Sequence, residues 1–239
     1  MPTELTTTEA EEARIRAVYA RRPRDARYSW FSHGHLFLTQ ERERQILAAL
    51  KENGFSSLEG TSIVEIGCGT GYWLREFIKW GAKPEDVRGF DLLRDRIVDA
   101  RRLCPAAVRI EQRSAADLPV PSGAFDVVVQ ATVFTSMLDP MMKRQVASEM
   151  LRILKGDGLI LWYDFHVNNP RNPDVRGVKQ REIHQLFPDC RIELRRTTLA
   201  PPLVRVLAPY SWLACYVLGR IPWLCTHYLG TIRKQRAAQ

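Results

Sequence analysis

Residues 63–73 read IVEIGCGTGYW. An apolar run enters an acid, Glu65, and then meets three glycines on alternate positions, Gly67, Gly69 and Gly71. Glycine takes positive φ without strain and has no Cβ, so backbone or ligand can approach closely. An apolar run closed by such a turn and followed by YWLREFIKW is a buried strand, a tight loop and a helix. The helix aims its free N–H groups and the positive end of its dipole at the loop. This unit needs a sheet beside it, and the rest of the chain supplies one.

Strand and helix patterns alternate after this point. VRGFDL is a short strand, RDRIVDARRLC a helix stopped by Pro105, and AVRIEQR and FDVVVQA two further strands. Residues 140–155 form an amphipathic helix with Val146, Met150, Ile153 and Leu154 on one face. GLILWYDF is a near-continuous apolar run, as expected for a strand buried on both faces. VKQREIHQLF is helical, and RIELRRTTL and HYLGTIRK alternate as strands do. This order predicts a mostly parallel sheet with helices on both faces and a ligand site at the carboxyl ends of its strands. Before the glycines, Thr8 and Glu11 have capping-box spacing, so a helix runs from there toward Arg22 and stops at Pro23. A second helix spans residues 39–53, closed by Gly54. Residues 24–38 lack a clean period and carry Tyr28, Trp30, Phe31, His33 and His35.

A chain of 239 residues with 45% apolar content can bury one large core, so a single domain is expected. The five cysteines, Cys68, Cys104, Cys190, Cys215 and Cys225, contain no CxxC pair, which argues against a zinc site or disulfide framework and for a reducing, cytoplasmic setting. The first 22 residues lack the basic start and apolar core of a secretory leader. No run of about 18 uncharged apolar residues is present, so no spanning helix is expected. The net charge of +8 is spread over Arg21, Arg22, Arg24 and Arg27, over Arg191, Arg195 and Arg196, and over Arg233, Lys234 and Arg236. These runs sit on different elements and read as solvated surface rather than as a nucleic-acid track.

The glycine spacing is GxGxG with Tyr72 in the sixth position, where a dinucleotide fingerprint carries glycine, and this speaks against a dehydrogenase. Asp91 ends the second strand twenty residues after Gly71, where doubly wound folds place an acid on ribose hydroxyls. Taken singly, Glu65 also reads as a strand-end acid and Asp117 as a turn former before Pro119. Taken in order, EIGCGTG, GFDL, ADLP, FDVVVQ and LRILKGDGLI resemble the motifs of class I S-adenosylmethionine-dependent methyltransferases over residues 63–165. KGDG departs from the Pro-Gly-Gly often found in that turn. The resemblance implies a Rossmann-like α/β fold whose seven-stranded sheet has an antiparallel last strand, HYLGTIRK. It divides the chain into an N-terminal helical cover (1–54), a cofactor-binding core (55–199), an apolar insertion (200–226) and a last strand with its tail (227–239). It implies S-adenosyl-L-methionine as cofactor, with Gly67, Cys68, Gly69 and Gly71 around its methionine part and Glu65 toward its amino group. Asp91 takes the ribose hydroxyls, Leu92 packs on the adenine, Ala116 and Asp117 meet the adenine edge, and Gln130 lies near the sulfonium.

Methyl transfer is an in-line displacement, and the protein chiefly aligns the reactants and excludes water. An oxygen acceptor needs a base, whereas an amine or an enol-like carbon needs only placement. On position, His166 after WYDF is the first candidate base and His33 the second, with Asp164 a further carboxylate that a neighbouring loop could engage instead. QATVF stands where base-amino methylases carry an Asn/Asp-Pro-Pro-aromatic motif, and no nucleophilic cysteine lies near it, so nucleic acid is not the expected substrate. Residues 200–226, APPLVRVLAPYSWLACYVLGRIPWLCT, leave the sixth strand on the active-site side. Mostly helical, broken by Pro209 and Pro222, they are expected to cover a hydrophobic acceptor, to touch a membrane surface through residues 203–223, or to pack on the domain. The expected function is methyl transfer to a small-molecule or lipid-linked acceptor; a methyltransferase-fold protein that binds the cofactor or a partner without transfer is the alternative.

Overall fold

Seven strands pair into one sheet in the order β3-β2-β1-β4-β5-β7-β6 in the computed structural model, which describes residues 7–21, 29–170 and 172–235. The strands are β1 (Ile63–Ile66), β2 (Val87–Asp91), β3 (Arg109–Gln112), β4 (Phe125–Ala131), β5 (Leu154–Phe165), β6 (Cys190–Leu199) and β7 (Cys225–Lys234). Strands β1 to β5 run parallel, and β7 lies antiparallel between β5 and β6. The central strands are buried on both faces, which is why their sequences are apolar rather than alternating. β6 forms an edge and alternates, with Arg191 and Arg195 outward; Arg195 meets Glu52 and Arg191 meets Glu193. Charge on an edge strand discourages pairing with other chains. Pro23, Tyr28, Arg22, Arg24, Arg27 and Arg236 lie outside the described residues.

One sheet face packs against α1 (Thr7–Ala20), α5 (Pro140–Ile153) and α6 (Gln180–Leu186), through Ile15, Val146, Met150 and Ile183. The other packs against α2 (His33–Glu52), α3 (Tyr72–Lys79) and α4 (Arg94–Leu103), through Ile46, Leu50, Leu74, Phe77 and Ile97. Two short helices, α7 (Pro201–Leu207) and α8 (Trp212–Leu218), connect β6 to β7. They enclose a third, small core with Phe37, Leu199, Val204, Ala208 and Cys215.

Four local expectations are corrected. Glu11 does not complete a capping box: its carboxylate accepts from the backbone N–H groups of Leu138 and Asp139 and pairs with Arg14, so it fastens α1 to the turn before α5. α2 starts at His33, six residues earlier than its pattern indicates, because the Ser32 side chain caps it and Phe37 is held by α8. α5 ends at Ile153, and KGDG lies within β5, whose register against β4 shifts between Phe125 and Val127. The insertion is helical and interrupted near Pro209 as expected, but it packs on the N-terminal half of α2 rather than over the glycine loop.

Candidate functional site

The glycine loop lies across the end of β2. The N–H groups of Gly67 and Cys68 both donate to the carbonyl of Phe90, at 2.8 and 2.9 Å. All three glycines take left-handed backbone, φ +69°, +53° and +73°. At Gly67 a Cβ would stand 2.4 Å from the Val133 side chain, so no other residue fits between the loop and the turn after β4. At Gly69 nothing lies within 4 Å of that position, which leaves room for a ligand to reach the backbone.

Asp91 fixes the loop from the neighbouring strand. Its Oδ2 accepts from Gly69 N–H at 2.8 Å and its Oδ1 from Leu93 N–H at 2.8 Å. Each carboxylate oxygen keeps a second acceptor site. Burial raises the Asp91 pKa, and these two backbone donors oppose the rise. Glu65, at the floor, is 3% exposed, and its Oε2 has no hydrogen-bond partner. Burial pushes its carboxyl well above the usual range, and the charge of Asp91 adds to this, against Arg42 and Arg75.

Arg42 of α2 completes the group. Its guanidinium lies 5.0 Å from the Trp73 ring centre, 5.3 Å from that of Tyr163 and 5.9 Å from that of Tyr72, and its buried Nε has no hydrogen-bond partner. Sequence reasoning missed it. The available signal was a cation on an apolar stripe: Thr39, Arg42, Ile46 and Ala49 share one face of α2 at helical spacing.

These groups surround a cavity of about 370 Å3. Of the residues singled out in the sequence, Glu65, Gly67, Cys68, Gly69, Asp91 and Leu92 line it. Gly71 caps α3 beside it. Beyond β3 the lining comes from Arg113, Ser114 and Ala115, immediately before Ala116 and Asp117; Asp117 is exposed. Gln130 does not reach the lining. Its Oε1 accepts from Val133 N–H at 3.2 Å, so it closes the turn after β4, and its buried Nε2 has no partner.

The structure does not bring the two candidate bases to this cavity. His166 lies at the end of β5 with its ring 4.4 Å from that of Tyr228, and it is not among the lining residues. Burial lowers its pKa, and Arg196 and Lys179 lower it further. His33 is exposed at the first position of α2. His35 stands closer: Trp30 meets it edge-on at 5.2 Å and stacks on Tyr72 at 5.9 Å. Asp164 accepts from the backbone N–H groups of Thr135 and Phe165, at 3.2 and 3.1 Å, and holds the turn after β4; burial raises its pKa to about 7. A second cavity of about 480 Å3, between α5 and α6, is lined by Lys143, Arg176, Lys179 and Glu182 and holds none of the predicted residues.

Residues 63–158 match the family described as a methyltransferase domain. A curated relative, the uncharacterized methyltransferase YdaC of Bacillus subtilis (strain 168), is 29% identical over 117 residues, which cover 48% of this chain and 62% of the relative. The chain therefore matches less than two thirds of that relative's length. The fold is similar to that of PH0226 from Pyrococcus horikoshii OT3, with a TM-score of 0.62 at 14% identity, over 92% of this chain and 99% of that one. It is also similar to 1,6-didemethyltoxoflavin-N1-methyltransferase from Burkholderia thailandensis, solved with 1,6-didemethyltoxoflavin and S-adenosylhomocysteine. There the TM-score is 0.61 at 15% identity, over 98% of this chain and 94% of the other. At these identities the likeness to solved structures is one of fold.

Proposed function

We propose that this chain is a class I S-adenosylmethionine-dependent methyltransferase that transfers a methyl group from S-adenosylmethionine to a hydrophobic acceptor, small or lipid-linked, a reading supported by its matched core and its fold. The observation that carries the reading is the unsatisfied pair at the cavity floor, the buried Glu65 Oε2 and the buried Arg42 Nε, facing the loop that Asp91 secures.

The residues fit the cofactor. Its amino-acid end carries an ammonium and a carboxylate; Glu65 suits the first and Arg42 the second, each as a charge-assisted hydrogen bond. The free acceptor sites of Asp91 suit two ribose hydroxyls, Leu92 offers an apolar face to the base, and Gly69 lets the ligand reach the backbone. Cys68, Gly67 and Gly71 shape the loop, while Ala116, Asp117 and Gln130 act through the turns they form rather than by contact. When bound, the cofactor supplies a methyl on a positively charged sulfur, ready for displacement. The chain aligns the acceptor and keeps water out, with Tyr72, Trp73 and Val133 as the apolar wall. For a lipid-linked acceptor, the corresponding access is peripheral membrane contact through residues 203–223.

His166 and His33 stand outside the lining, so the reading favours an acceptor that needs alignment rather than proton removal. The test supplies methyl-labelled S-adenosylmethionine to the protein with hydrophobic extracts of its source cells. Label is expected in the organic phase, and His166→Ala and His33→Ala should each keep rates within about threefold of the parent between about pH 6 and 9. A loss of about 100-fold in either variant, with cofactor affinity intact, would make that histidine the base. Cofactor binding with no labelled product from any extract would favour a non-transferring binder.

A further inference from the structure

The helices of the insertion are apolar on two sides. Their inner sides, Val204, Ala208 and Cys215, are buried in the third core. Their outer sides are apolar too, with Val206, Leu213 and Val217 exposed, Tyr210 88% exposed and Trp223 86% exposed. A helix that is apolar all round belongs in surroundings that cover both sides, and here the protein covers one.

The surface continues past the insertion. Gly34 of α2 packs so closely on α7 that a Cβ there would stand 3.3 Å from the Arg205 Cα. Three residues before it, Phe31 is 99% exposed, beside the half-exposed Trp30. Two segments distant in sequence, 29–40 and 199–226, thus present apolar and aromatic side chains at one end of the molecule. Neither contains an aspartate or glutamate, in a chain with 27 acids. Their fixed charges are the exposed Arg205 and Arg220. Among the described residues no helix is long and apolar enough to cross a membrane.

We infer that this face docks on the surface of an anionic lipid bilayer. Phe31, Leu213 and Trp223 enter the boundary between headgroups and acyl chains, and Arg205 and Arg220 meet lipid phosphates. Aromatic side chains with polar tips favour that boundary, and short helices with apolar outer sides lie in its plane. The two segments bring no acid to that surface, the bordering Glu41 is ion-paired with Arg44 over the Tyr216 ring, and the net charge of +8 attracts the protein to it. Trp30 links this face to the cavity, since its ring stacks on Tyr72 of the lining. A lipid-linked acceptor drawn from the bilayer would therefore arrive beside Trp30; this last step alone rests on the methyltransferase reading.

The test sediments the full chain with vesicles of phosphatidylcholine, with or without about 30% phosphatidylglycerol. The expected result is co-sedimentation with the anionic vesicles, a blue shift of tryptophan emission, and partition at least about tenfold weaker for the double variant Phe31→Ser, Trp223→Ser. Arg205→Gln with Arg220→Gln should reduce the preference for anionic over neutral vesicles. Calorimetry with S-adenosylhomocysteine runs in parallel, and its affinity should be the same in every variant. Parent protein that stays in the supernatant, or variants that bind vesicles as the parent does, overturns the inference. So does a parent dimer that becomes monomeric in the double variant, because a second copy would then cover this face. Any of these results with cofactor binding intact leaves the methyltransferase reading standing.

Discussion

Asp91→Ala is expected to weaken binding of S-adenosylhomocysteine by about 100-fold or more, measured by calorimetry. Two effects combine. Hydrogen bonds to a charged acceptor contribute about 1–3 kcal/mol each, and the variant has none to offer the ribose. It also leaves Gly69 N–H and Leu93 N–H without their acceptor, so the loop keeps only its backbone bonds from Gly67 and Cys68 to β2 and is held less firmly. Asp91→Asn separates the two. One amide oxygen still serves a backbone donor, but the amide group cannot accept from both hydroxyls. Asn should therefore retain more thermal stability than Ala while still binding poorly. An unchanged affinity in the alanine variant would remove Asp91 from the site.

Arg42→Met should be selective. Methionine keeps most of the packing on Trp73, Tyr72 and Tyr163 and removes the charge. Affinity for S-adenosylhomocysteine should fall about 10- to 100-fold, since a buried charge-assisted bond to a carboxylate is lost. Affinity for methylthioadenosine, which lacks the amino-acid end, should hardly change. Equal losses for both ligands would show that Arg42 only supports the fold. The same variant carries a pH signature. Glu65 titrates above its ordinary value of 4.5 in the folded protein because it is buried. Above that pH the folded state holds more protons than the unfolded chain, so this group makes stability fall as pH rises toward its folded pKa. Arg42 opposes the shift. Removing it should raise the folded pKa of Glu65 further, so that the fall in melting temperature of the ligand-free protein continues to higher pH than in the parent.

What the sequence made legible was whatever local spacing determines. The glycine loop and Asp91 were readable because a strand, a turn that only glycine can make and an acid one strand away leave little freedom. The sheet and its antiparallel last strand followed from alternating patterns and the resemblance those motifs carry. Beyond β3 the cavity is lined by residues 113–115, where the resemblance pointed to Ala116 and Asp117, because a loop has no period to count. His166 was placed near the chemistry by its position after β5, but strand side chains alternate. Tyr163 faces Arg42 and α2, so His166, three residues on, faces the other side. Arg42 was legible only in part: helical spacing aligns it with Ile46 and Ala49, but only the packing of α2 on the sheet brings its guanidinium to the cavity. The insertion emerged at the expected end of the sheet, but α2 begins earlier than its pattern indicates, and the insertion packs on its added turns through Gly34 and Phe37.

The central claim is that this cavity is built for the amino-acid and nucleoside halves of S-adenosylmethionine. Calorimetric titration of the full chain with S-adenosylhomocysteine, and separately with NAD, tests it most directly. The account predicts saturable one-site binding of S-adenosylhomocysteine and no comparable heat from NAD. Binding of NAD without binding of S-adenosylhomocysteine would contradict it.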